Sequence, residues 1–85
     1  MAQVTLPCIL ADQAGGQRLW NVPATTLDEA IRALPVADLI LTPAGRANPW
    51  LLIFINEDHF LQTGGLESPV ADDDVIQIAS VLAGG

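Results

Sequence analysis

The 85 residues include no lysine and no tyrosine, and only one cysteine (Cys8) and one histidine (His59). A single cysteine excludes a disulfide framework, a four-cysteine iron–sulfur cluster and a zinc ribbon. One histidine without tyrosine leaves little for general acid–base chemistry. No apolar run approaches the roughly 20 residues of a membrane span. The longest, Trp50 to Ile55, is strand-sized. Met1-Ala2-Gln3 lacks the basic start and apolar stretch of a signal peptide, so a cytoplasmic location is expected. Cations are scarce too: three arginines stand against ten acids, a net charge of −7. That argues against nucleic acid, whose phosphates demand a basic face, and favours a basic partner surface or simply solubility.

Apolar residues are plentiful. They make up 51% of the chain while charges are sparse, which argues against disorder. The length allows one small domain with a single core. Val4 to Leu10 reads as a strand interrupted by Pro7, which removes a ladder donor. Asp12 to Gly16 has turn composition, and Gln17 to Val22 completes an opening hairpin. Thr26 with Glu29 predicts a capping box. Leu27, Ala30, Ile31 and Leu34 share one helical face, Asp28 and Arg32 are spaced to pair, and Pro35 ends the helix. Asp38 to Leu41 is compatible with one helical turn, and Pro43 to Pro49 with a loop. Trp50 to Ile55 is expected as a central strand covered on both faces. Asn56-Glu57-Asp58 turns the chain into a short strand, His59-Phe60-Leu61, followed by a turn at Thr63 to Leu66. The acidic turn Ala71 to Asp74 leads into a last strand, Val75 to Val81.

Most of the chemically suggestive residues have ordinary readings. Cys8, in an apolar strand, is expected to be a packed core thiol. His59 beside a turn is expected to be solvated. Asp72-Asp73-Asp74 reads as a solvated turn, because three consecutive carboxylates cannot all converge and the EF-hand spacing is absent. Trp20 and Trp50 read as core or rim packing rather than a base-stacking platform. Gly15-Gly16 and Gly64-Gly65 lack any phosphate-loop pattern and read as turns. The exception is Gly84-Gly85, straight after the last strand. Two residues without side chains suit a backbone carboxylate that must be threaded into a narrow partner site. A reactive acyl group there would also benefit from a body with no side-chain amine to attack it.

A hairpin, a helix that crosses over and further strands give an α+β fold: one mixed sheet of about four to five strands packed on one main helix. This is the β-grasp arrangement of ubiquitin. Residues 1–81 form the domain and residues 82–85 a flexible tail. Three features then carry a resemblance: Leu52-Ile53-Phe54-Ile55-Asn56 before a turn, Asp72-Asp73-Asp74-Val75 before the last strand, and the Ala83-Gly84-Gly85 end. The chain resembles the ubiquitin-like sulfur carriers, which include the small subunit of molybdopterin synthase, the thiamin-thiazole carrier and the cysteine-biosynthesis carrier. Leu6 to Leu10, Gly15-Gly16 and Thr63 to Leu66 look most like the last. Ser80 stands where the family often has a proline, a departure that loosens the subfamily assignment.

The resemblance implies that Gly85 is adenylated and converted to a thiocarboxylate, with Gly84 supplying slimness for threading. It implies no bound cofactor or metal. ATP and a sulfur donor are used by the activating partner, an adenylyltransferase similar to ubiquitin-activating enzymes. A second, sulfur-accepting biosynthetic enzyme receives the sulfur, for cysteine or a related metabolite, with molybdopterin or thiamin behind it. The alternatives are a ubiquitin-like protein modifier and a non-catalytic interaction domain.

Overall fold

A computed structural model describes residues 1–81; Gly84 and Gly85, with the expected tail at 82–85, lie outside the described residues. Five strands form one mixed sheet: β1 (Ala2–Thr5), β2 (Leu19–Val22), β3 (Leu51–Ile55), β4 (Asp58–His59) and β5 (Val75–Ser80), in spatial order β2-β1-β5-β3-β4. β1 and β2 are antiparallel, with Gln3 opposite Asn21. β5 runs parallel to β1, with Val4 opposite Ile76, and antiparallel to β3, with Ile53 opposite Ile78. This is the expected β-grasp sheet.

On one face lie four short helices: α1 (Cys8–Gln13), α2 (Leu27–Arg32), α3 (Ala37–Ile40) and α4 (Phe60–Thr63). α2 takes the place predicted for the main helix. Thr26 Oγ accepts from the Glu29 N–H (3.2 Å), as a capping box requires. The reciprocal half shifts by one residue. Glu29 Oε1 accepts from the Thr25 N–H (2.8 Å) and hydroxyl (2.7 Å), and these bonds hold its carboxyl below the usual carboxylate range. Asp28 and Arg32 pair at 2.9 Å. Leu27, Ala30 and Ile31 are fully buried against the sheet residues Val4, Ile53 and Ile76.

The first strand is shorter than expected. Pro7 (φ −69°, ψ 160°) caps α1, because its fixed φ and missing N–H suit a helix start. α1 turns Leu10 and Ala11 into the core, and Cys8 therefore points to solvent, so the expected packed core thiol is an exposed one. The strand expected at His59-Phe60-Leu61 ends at His59, whose Nδ1 accepts from the Leu61 N–H (3.2 Å) and starts α4. β3 is not the central strand and is not covered on both faces. Leu51, Ile53 and Ile55 face the core, while Leu52 is exposed and Phe54 half-buried on the open side. β5 occupies the middle of the sheet.

The two loops at the start of β5 and the end of β3 are knitted together. Asn56 adopts a left-handed conformation (φ 57°), which asparagine tolerates better than most residues. Its N–H donates to the Val75 carbonyl (2.7 Å), its Oδ1 accepts from the Val75 N–H (3.1 Å) and its Nδ2 donates to Asp74 Oδ1 (3.1 Å). Asp74 Oδ2 accepts from the Ala71 N–H (2.9 Å), and the Asp74 carbonyl accepts from the Gln3 N–H (3.0 Å).

Candidate functional site

Register decides where each end of β5 lies. Val75 sits beside Gln3 near the start of β1, and Ile76 sits opposite Ile55 at the end of β3. Glu57, Asp58, Asp72, Asp73 and Asp74, five of the ten acids, therefore gather at one end of the sheet. Met1 is there too, its amino group 3.2 Å from Asp72. The acidic turn is solvated, as expected. The Ala71 N–H and the Asn56 amide hold the Asp74 carboxyl below its ordinary range.

The opposite end is where β5 leaves the sheet. Val81, the last described residue, is exposed, and its N–H donates to the Trp50 carbonyl (3.1 Å). Residues 82–85 follow directly. On the open sheet face beside this exit, Leu52 lies opposite Ala79 and Phe54 opposite Gln77. Further round the same end, Trp50 and Leu61 are exposed. Five acids thus gather at the start of β5, while Trp50, Leu52 and Val81 are exposed towards its other end.

The predicted site residues Gly84 and Gly85 are not among the described residues. The structure fixes the platform from which the chain reaches them. The apolar groups around the exit were not legible in the sequence, because every residue of Leu51 to Ile55 is apolar and no alternation marks an outward face. The one available signal was the pairing of β3 with β5, which sets the face of each residue. Cys8 and His59 lie far apart in sequence on α1 and β4, and neither belongs to a metal-binding group: among the described residues no three His, Cys, Asp or Glu side chains could hold an ion. Among the same residues, no helix is long and apolar enough to cross a membrane.

No family model matches the chain. It is 28% identical over 89 residues to the sulfur carrier protein CysO of Mycobacterium tuberculosis, with 96% of each chain covered. A chain in the crystal structure of the Amycolatopsis orientalis BexX/CysO complex superposes with a TM-score of 0.88, at 25% identity, over 100% of both chains. SAMP1 from Haloferax volcanii shares the fold, with a TM-score of 0.78 at 21% identity over 99% of this chain and 98% of that one. The strand order, the parallel pairing of β1 with β5 and the end-to-end match in sequence converge: over its full length the chain is similar to ubiquitin-like sulfur carriers, proteins named for carrying sulfur.

Proposed function

We propose that this chain carries sulfur as a thiocarboxylate on Gly85 and delivers it to a biosynthetic enzyme in the cytoplasm. A free carboxylate is a poor electrophile, so its carbon must first be activated. An adenylyltransferase similar to ubiquitin-activating enzymes would join a Gly85 carboxylate oxygen to the α-phosphorus of ATP, releasing pyrophosphate. A sulfur donor at the oxidation level of sulfide then attacks the carbonyl carbon. The C–S bond forms, the C–O bond to AMP breaks, and AMP leaves. The protein holds the resulting nucleophile covalently and presents it to the acceptor.

What this chain's residues contribute is delivery. β5 is held between two strands up to Val81, whose N–H donates to the Trp50 carbonyl, so the residues that precede the tail in sequence are anchored in the middle of the sheet. Gly84 keeps the backbone narrow where a tunnel wall would meet any side chain. Enclosure of the reacting end keeps water from hydrolysing the acyl adenylate. Cysteine or a related sulfur metabolite is the product class implied by the sequence resemblance to the cysteine-biosynthesis carrier.

The observation that carries this reading is the full-length similarity to a sulfur carrier. Its test is the intact mass of protein made in its native host. A gain equal to exchanging one oxygen for sulfur, mapped to the last peptide, supports it. An unmodified mass, with no adenylation by any activating enzyme of that host, overturns it.

A further inference from the structure

Among the described residues nine large apolar side chains are exposed, and three of them, Ile9, Leu39 and Trp50, line one shallow depression between α1, α3 and the start of β3. Their exposures are 51%, 44% and 44%. Each is brought there by an element that had to turn some residue outward. α1 buries Leu10 and presents Ile9; α3 buries Ile40 and presents Leu39; Trp50 precedes the buried Leu51. The indole N–H of Trp20 donates to the Gln17 carbonyl, whereas that of Trp50 makes no hydrogen bond among the described residues. The only charge lining the depression is Asp38, whose carboxylate has neither an ion pair nor a hydrogen bond among the described residues. The depression adjoins the tail exit, because Trp50 is the residue whose carbonyl holds the Val81 N–H.

We propose that this depression is a docking surface for the adenylating enzyme that receives the tail, an inference that rests on the function proposed above. The partner presents an apolar rim carrying one basic side chain, Arg or Lys, opposite Asp38. Three arguments select this occupant. The surface is continuous with the segment that must be threaded, so any protein admitting the tail comes against it. Its lone carboxylate is exposed and unpaired, and a partner that covers the depression would enclose it, which is costly unless that partner supplies a cation. An exposed tryptophan with a free donor is the residue type that most often anchors a protein interface. Recognition thus extends round the end of the sheet onto the helical layer and is not confined to the open sheet face.

The test is ATP–pyrophosphate exchange by the host's adenylating enzyme, with the carrier as varied substrate. Leu39→Glu and Asp38→Lys each raise the KM for the carrier about tenfold, which corresponds to loss of one good interface contact, and leave kcat unchanged. Glu57→Lys, an exposed charge reversal beyond the end of β3 where β5 begins, leaves both parameters as they were. Asp38→Lys replaces an exposed side chain without partners, so it keeps the test decisive should glutamate at position 39 disturb α3. Unchanged KM for both variants, with exchange still dependent on Gly85, overturns the docking surface and leaves the proposed function standing. No exchange with the unsubstituted chain overturns the function itself.

Discussion

Asn56 and Asp74, 18 residues apart, are joined by a side-chain hydrogen bond of 3.1 Å that ties the end of β3 to the start of β5. The asparagine that ends one apolar strand and the aspartate cluster that precedes another look like separate family marks in the sequence. In the fold they are two halves of one clasp, and the clasp fixes the register of the strand that delivers the tail.

Asn56→Ala should destabilise the domain by about 1–2 kcal/mol, because it removes the amide from both partners and leaves a left-handed backbone that alanine tolerates poorly. Chemical denaturation measures it. Asn56→Gly relieves the backbone strain and should fall between the two.

The clasp is pH-dependent. The Asp74 carboxyl titrates below its reference value of 3.8, so its contribution is complete above that value and is lost as pH falls through the folded-state value. Thermal melts of the parent and Asp74→Asn should therefore differ at pH 7 and converge as the buffer is taken below pH 3.8. A gap that stays constant over that range would show that the carboxylate charge is irrelevant.

Much of the architecture was legible because helical and strand signals were local. The cap at Thr26, the spacing of Leu27, Ala30, Ile31 and Leu34, and the stop at Pro35 all act within a few residues. Two stretches failed for a common reason. Cys8 to Leu10 and Phe60 to Leu61 are apolar enough for strands, but helix starts at Pro7 and His59 turn the chain before any strand partner is reached. The flanks of the tail were hidden because burial of β3 depends on which strand lies beside it, and that is not a local property.

Exposure of Cys8 has a practical result. A thiol reagent should label the native protein at one site per chain without denaturant, and Cys8→Ser should abolish the signal. Alkylation of a sulfur-loaded carrier must consequently be mapped by peptide, or done in the Cys8→Ser background, since two sulfurs would otherwise react.

Core and rim should separate cleanly. Ile53→Ala, at a fully buried position of β3, should cost about 2–5 kcal/mol, whereas Leu61→Ala, at a largely exposed one, should stay within about 0.5 kcal/mol. Denaturant midpoints of the two variants decide it.

At the tail, Gly84→Val should lower the rate of sulfur loading about 10²-fold, the order of loss that follows from misplacing a reacting group by an ångström. Its melting curve should overlay that of the parent. Loading at the parental rate would show that the partner's channel is wide and that the paired glycines serve some other end.

Because β5 lies between β1 and β3 rather than at an edge, a pull on the tail is borne in shear. Drawn lengthwise, a strand flanked on both sides must slide past two neighbours at once, and its ladder bonds share the load instead of peeling apart one after another. A partner of the kind proposed above could therefore pull on the chain beyond Val81 without unravelling the body that carries it.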